Sequence, residues 1–409
     1  MSIFRTIYSF PRDLSLLPRS IRWIALVMFL YYLGWGIIEP FLGIYFNDLF
    51  DSYTSVGIIF SLLYVFSMLL SLPFGDLADK ASKRTIMTII LICYVPIGPF
   101  IATIRTIGHA VLFRVYHAFL ATGLWSSTEA YVRSHSPRRQ ASEGIGFFDM
   151  AIAGSSVVGA ILGGILITRF GIETLFYIMP VFSIGALIAV SRLPDSDGAF
   201  SLFAGIKDVF RQRLFRHEFR DFFSVPGTIY LTALSFLYHV AAAGVIVLLP
   251  LVYRALGVSL WEIGIIYAVF MMPAFFEGPF SVIADRANKK TLFLLGAGAA
   301  ILIEFSMVWA HSVIALFGFS LLLGIAFALV RPLIEGMMTN CMPPAQVGEF
   351  NGVYRSFVLL ALAIGSFVIG PVADAFTIQT PFFIGAVLMC IFFIVAMFLP
   401  RALLESDKA

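Results

Sequence analysis

Charge is what this chain has least of. Asp, Glu, Lys and Arg make up only 12% of its 409 residues, about half the share found in a water-soluble domain. Cysteine is nearly absent. Cys93 and Cys390 lie inside apolar runs and Cys341 in a polar connection, too few and too scattered for a disulfide framework. No Cys/His cluster has ligand spacing and no Walker-type phosphate loop occurs, so no metal, no cofactor and no ATP hydrolysis are expected. Nothing points to an enzyme or to a nucleic-acid partner. Period-two alternation is missing too, which argues against a membrane β-barrel. The first residues carry arginines but no compact apolar core with a cleavage site, so they read as a basic juxtamembrane segment that stays attached.

What is present is apolar. Sixty per cent of the residues are hydrophobic and 15% aromatic, with a mean hydropathy of +0.95. Runs of about 20 apolar residues recur along the chain, each long enough to cross hydrocarbon as a helix. The predicted spans begin with Trp23–Phe46, Thr54–Pro73, Thr85–Ile104, Ile107–Val132, Gly144–Ile167 and Thr174–Val190. Six more follow: Thr228–Tyr253, Leu260–Phe280, Thr291–Ala310, Val313–Met337, Phe350–Pro371 and Pro381–Leu399. The polar stretch between the groups reads as a linker with an amphipathic helix. The expected organisation is an all-α polytopic membrane protein with six-helix bundles over 1–191 and 227–409 and a cytoplasmic linker over 192–226. With the N-terminus cytoplasmic, inner segments hold 21 of the 27 Lys and Arg, and outer loops only Arg105, Arg169 and Arg254. That asymmetry puts both termini on the cytoplasmic side, and the cell's inner membrane is the expected location.

Two hydrophilic knots interrupt the apolar text, "FGDLADKASKRT" (Phe74–Thr85) and "SVIADRANKKT" (Ser281–Thr291). They belong to an internal repeat. At an offset of 206 residues Asp79 maps to Asp285, Glu129 to Glu335, Glu143 to Glu349, Gly159 to Gly365 and Gly164 to Gly370. Two parallel copies of a six-helix unit are the form taken by transporters whose halves rock about a central site.

With these features the chain resembles the major facilitator superfamily over essentially its whole length. Gly75, Leu77, Ala78, Asp79 and Arg84 match that family's loop between the second and third helices, with Lys80 and Lys83 in place of arginines. Ser82 stands where a glycine is usual and Asn288 at the same place in the second copy, so a looser left-handed turn is expected in the first. The resemblance implies two bundles related by a pseudo-two-fold along the membrane normal, with a central cavity. The first, fourth, seventh and tenth helices would line it, and the third, sixth, ninth and twelfth would face lipid. It also implies that the charged loop meets the other half near the eleventh helix. There Arg355 lies, and its repeat partner is Asp149. Two crossed latches are therefore expected on the cytoplasmic side when it closes: Asp79 with Arg355, and Arg286 or Lys289 with Asp149. Gly75, Lys83, Arg84 and Asp285 belong to the same gate.

Ionisable residues inside spans are functional candidates, because each is costly in hydrocarbon. Tyr32, Trp35 and Glu39 share one face of the first span. Pro40 is expected to loosen the helix there. No basic residue is local to Glu39, which makes it the first choice for a proton-carrying carboxyl. Arg114, His117, Trp125 and Glu129 fall on one stripe of the fourth span. Arg114 resembles the family's fourth-helix arginine, and Glu129 has Arg133 at i+4 as an alternative, purely structural partner. His239 sits near the middle of the seventh span, as a core residue or a cavity contact. Arg331 and Glu335 are i, i+4 in the tenth and are expected to pair. Glu277 is expected to reach the surface, and Glu304, in a lipid-facing span, to snorkel outward or find a partner. "GAILGG" (Gly159–Gly164) needs no more than a close-packing role.

The function these features imply is secondary active transport of a small organic solute by alternating access, proton-coupled, by a monomer in the bilayer. Aromatics beside a carboxylate favour efflux of amphipathic, drug-like compounds. Import of a sugar or organic anion held by Arg114, Arg331 and His117 is the alternative, and a receptor or assembly protein that kept the fold and lost transport is a third reading.

Overall fold

A backbone that crosses hydrocarbon must satisfy its own N–H and C=O groups, and in this chain helices do so. The structure, a computed structural model, describes residues 18–135, 141–194, 216–277, 288–343, 347–400 and 403. Among the described residues eleven helices are long and apolar enough to cross a membrane. Spans one to six are Arg19–Phe50, Tyr53–Lys80, Lys83–Ala102, Ile107–His135, Phe147–Phe170 and Ile172–Ser191. Span seven is Thr228–Ala255, and spans nine to twelve are Lys289–Met307, Val313–Cys341, Phe350–Ala375 and Thr380–Met397. The eighth, Leu260–Phe276, is shorter. A short helix, Arg216–Ser224, precedes the seventh.

Helices outrun the apolar runs because the polar segments at their ends stay helical. The first charged knot is the last two turns of the second span, which ends at Lys80, followed by a tight turn into a helix that starts at Lys83. Ser82 caps that helix by accepting the Thr85 N–H at 3.3 Å, and Asn288 does the same for Thr291 at 3.3 Å. Both caps have extended backbone, φ −60° and −71°. No left-handed residue is needed, so the looser first turn expected from Ser82 is not found. The second knot lies mostly at 281–287, with Asp285 and Arg286, outside the described residues.

The two halves use one set of helix pairings. In the first half span one packs on five and six, span four on two and three, and span three on six. Adding six to each number gives the packing of the second half. The halves meet through spans two and eleven, five and eight, and the segment Glu39–Phe50 of the first span against the seventh. Close approach requires glycine at some of these contacts. Between the halves, a Cβ on Gly57 would lie 2.7 Å from the Ser366 carbonyl oxygen and one on Gly264 2.6 Å from the Ala160 carbonyl oxygen. Within the first half, one on Gly159 would lie 2.7 Å from the Gly36 backbone.

Large exposed apolar side chains crowd the third, sixth, ninth and twelfth spans, among them Ile92, Ile188, Leu302 and Ile394, as helices facing acyl chains require. Glu304 breaks this pattern. It is fully buried, and its carboxylate oxygens lie against Gly385 of the twelfth span, 2.9 and 3.1 Å from where a Cβ would stand. Neither oxygen has a hydrogen-bond partner among the described residues. The expectation that it snorkels or finds a partner is therefore not met. At the equivalent place in the first half the roles are exchanged. Glycine is at position 98 of the third span and Met179 on the sixth; a Cβ at 98 would run into the Phe176 carbonyl oxygen and lie 3.0 Å from the Met179 Cβ.

Gly159→Val pushes a branched side chain into the Gly36 backbone, an overpacking that costs about 1–3 kcal/mol or more. Thermal unfolding of the purified protein should show a clear fall in midpoint for this variant and little change for Gly75→Ala, since a Cβ at Gly75 meets nothing within 4 Å.

Candidate functional site

The first span does not cross as one rod. Its helix stops at Gly36, Ile37 and Ile38 form a turn, and a second helix starts at Glu39 with Pro40 in its first turn. Proline at that position loses no helical hydrogen bond, so the break falls just before Pro40 and places Glu39 at a helix N-terminus. Such an end presents unpaired N–H groups and favours negative charge. Glu39 is half-buried there.

Arg114 lies within electrostatic reach of Glu39 but not in contact with it. The arginine is completely buried, and none of its guanidinium nitrogens has a hydrogen-bond partner among the described residues. Aromatic faces surround it instead. The guanidinium carbon is 4.5 Å from the Phe60 ring centre, 5.2 Å from Phe113 and 5.9 Å from Phe46. Cation–π attraction of up to about 2 kcal/mol per desolvated contact offsets only part of the cost of an unbonded buried charge. Tyr64 and Tyr94 lie in the same electrostatic neighbourhood. Nothing in the sequence marked them, because a tyrosine in an apolar run has no distinguishing pattern.

His117 is a packed core residue. Its ring is 4.2 Å from Trp35 and stacks on Phe113 at 5.8 Å, and Nε2 is 3.3 Å from the Tyr94 hydroxyl. Arg114 and His117 are thus separated from Trp125 and Glu129, which the sequence places on the same stripe. Tyr32 spans the gap, edge-on to the Trp125 ring at 6.4 Å.

Trp125 and Glu129 belong to a second group that joins the two halves. The Glu129 carboxylate accepts from Arg133 at 2.6 Å and from Arg355 of the eleventh span at 3.4 Å. The Arg355 guanidinium covers the Trp125 ring at 4.7 Å. Arg331 donates to Glu277 and lies 3.9 Å from Glu335. Glu277 therefore does not serve as the surface residue expected of it, and the Arg331–Glu335 pair is the looser of two. Asp149 shares the field of Arg331, Glu335, Glu277 and Glu129. His239 is buried. Its Nδ1 donates to the Ser235 carbonyl at 2.8 Å, and the Ser235 hydroxyl, 3.1 Å from the same nitrogen, is 2.8 Å from the Tyr354 hydroxyl. That is the core reading of His239.

Burial shows where this group opens. Twelve crossings put the described start at Pro18 and the end at Leu403 on one side of the bundle, here called the terminal face. Toward that face Asp149 is exposed, and the side chains of Glu335, Arg331 and Glu129 are 49%, 40% and 37% exposed, although they lie on facing surfaces of the two halves. On the opposite, far face, Glu39–Phe50 meets the seventh span and the two glycine-lined seams are closed.

In this arrangement Arg355 bonds Glu129, and Asp79 stands exposed near Lys83 and Arg133. The first knot is anchored in its own half. Lys80 pairs with Asp76 at 2.8 Å, and Arg84 donates to the Ser191 carbonyl at 2.9 Å. The Asp79–Arg355 pair expected of a closed terminal face is not formed in this structure. Its crossed counterpart at Arg286 lies outside the described residues.

Glu277→Gln leaves Arg331 with only the looser of its two carboxylates. With Arg331 40% exposed, the expected loss is about 1–3 kcal/mol, less than for a sealed pair. Lys80→Ala should cost under about 1 kcal/mol. Equal unfolding midpoints for the two variants would remove the Glu277–Arg331 pair from the interactions that hold the second half together.

The same architecture occurs in known proteins. The sequence model of the Major Facilitator Superfamily matches residues 24–308 and 231–408. An uncharacterized MFS-type transporter of Methanocaldococcus jannaschii is 21% identical over 91% of this chain and 95% of its own length. The quinolone resistance protein NorA of Staphylococcus aureus is 22% identical over 88% and 90%. Among solved structures, the nucleoside transporter NupG superposes with a TM-score of 0.74 at 15% identity, covering 93% of this chain and 98% of its own. The human organic anion transporter MFSD10 gives 0.66 at 19% identity, covering 92% and 99%. From the family match, the repeat and the shared fold, this chain belongs to the major facilitator superfamily of membrane transporters.

Proposed function

We propose that the chain is a proton-coupled secondary transporter of a small organic solute that works by alternating access, as a monomer, in the cell's inner membrane with both termini cytoplasmic. The terminal face is then the cytoplasmic one, and the arrangement described is open to the inside. The observation that carries the reading is the juxtaposition of Glu39, at a break in the first span, with an Arg114 that has no hydrogen-bond partner among the described residues. Such a pair couples two ligands. An ionised Glu39 holds Arg114 electrostatically, and a protonated one releases it. The halves share a second polar group, Glu129–Arg355 with Asp149, Arg331 and Glu335, on the route between that pair and the terminal face.

Carboxylates and aromatics around the opening, with Asp149 exposed in it, favour an amphipathic cation, and efflux is the direction consistent with the similarity to a quinolone resistance protein. The unpartnered guanidinium of Arg114 supports the second reading, uptake of an anionic metabolite, and two of the similar structures are a nucleoside and an organic anion transporter. A receptor that no longer transports would have no use for the Glu39–Arg114 pair.

Reconstituted protein under an imposed pH gradient separates these readings. Gradient-driven flux of a solute, first identified by the thermal stabilisation it confers, is expected. Glu39→Gln should abolish accumulation against the solute gradient while leaving downhill exchange measurable. Undiminished accumulation by Glu39→Gln would defeat the proton assignment. Absence of flux for every stabilising solute would favour the receptor.

A further inference from the structure

The two repeats begin their second helices differently. Ser52 and Ser259, equivalent at an offset of 207, are the N-caps of the helices that start at Tyr53 and Leu260. In the second half the cap is complete within one helix. Glu262 accepts from the Ser259 N–H at 3.0 Å and its hydroxyl at 2.5 Å, and the Ser259 hydroxyl accepts the Glu262 N–H at 3.4 Å. This is a capping box, and it holds whatever its surroundings do.

In the first half the position of Glu262 is Ser55. The Ser52 hydroxyl accepts the Ser55 N–H at 3.1 Å, but no acid follows in that turn. The carboxylate comes from the other half of the protein. Asp374, at the far-face end of the eleventh span, accepts from the Ser52 hydroxyl at 3.2 Å, the Tyr53 N–H at 3.0 Å and the Thr54 N–H at 2.8 Å. Two N–H groups left over by the helix start, and the positive end of its dipole, are thus satisfied across the seam between halves. The fifth–eighth seam has no equivalent among the described residues. Residue 168, in the place of Asp374, is a threonine whose hydroxyl donates to its own helix at Gly164, 2.7 Å away.

We propose that Asp374 is a conformational latch, capping the second helix only while the far face is closed and so favouring the arrangement open on the terminal face. The inference rests on the alternating-access reading. A cap made within one helix survives any rigid motion of the halves, whereas a cap made between them is lost when they part. All three bonds to Asp374 must break for the far face to open, and among the described residues only the second–eleventh seam is fastened by such a carboxylate.

Ser366 supplies the probe. It is fully buried in the eleventh span, and its carbonyl lies at the Gly57 contact. Ser366→Cys, in protein whose Cys93, Cys341 and Cys390 are replaced, should react with a charged methanethiosulfonate only when the far-face seam opens, at a rate proportional to the open population. Asp374→Ala is expected to raise that rate about tenfold, the size of an N-cap lost from one state only. Asp374→Asn, which keeps the shape, should move it the same way by less. Ser55→Glu added to Asp374→Ala rebuilds the cap within the second helix, as Glu262 does in the eighth. It should restore the unfolding midpoint while leaving the rate high. An Asp374→Ala rate equal to that of the parent with Asp374 intact, or a rate that Ser55→Glu returns to the parent's, reduces Asp374 to an ordinary structural cap and leaves the transporter reading intact. Complete protection of the thiol introduced at position 366, in every variant, overturns alternating access, and the latch with it.

Discussion

A polar group in hydrocarbon without a partner is costly, and most of this structure follows from how that cost is met. At the backbone it confines irregular structure to a few places: the Gly36–Glu39 break, the Val95–Pro96 break and the 3-10 turn at Met272–Phe276. At the side chains it gathers charges into groups in which Arg331 has two carboxylates and Glu129 two arginines. It ties the His239 ring to a carbonyl of its own helix. Arg114 and Glu304 stand outside this rule, and their positions differ in meaning. Arg114 is unsatisfied beside a broken helix that packs at the interface between halves. Glu304 is unsatisfied between two peripheral helices, remote from that interface.

The halves share one pairing scheme but differ in detail. The first span breaks at Ile37–Ile38, where its counterpart, the seventh, runs unbroken from Thr228 to Ala255. Equivalent side chains also find different partners. Glu129 and Glu335 are equivalent in sequence, yet Glu129 bonds across to the other half while Glu335 stays with Arg331 in its own helix. Ser55 and Glu262 differ, and with them the way a helix start is completed. These differences leave the two seams between the halves unequal.

Much of the architecture could be read from the chain because it depends on quantities that sequence carries directly. Span number follows from hydropathy, the repeat from a register kept over dozens of residues, and the family from a motif at a defined place in that repeat. Charge partners were less legible. Arg114 and Glu129 share an azimuth on the fourth span but differ by 15 positions, about 22 Å along a helix, so they serve different groups. The partners of Arg355 and Arg331 depend on depth and rotation in the bundle, which helical periodicity does not supply. Ser82 misled for a simpler reason: the family's glycine suggested a left-handed turn, and the chain uses an extended N-cap there.

The exchanged notch and knob on the peripheral helices bear on how the duplicated halves drifted apart. Positions 98 and 304 descend from one site and positions 179 and 385 from another, yet glycine sits on the third helix in one half and on the twelfth in the other. In each half one member of the couple is glycine and the other is large. A large side chain at one position has glycine facing it at the other, so each couple acts as a single steric unit. Copying a lone residue from one half to the other would leave two fillers in one hole or none.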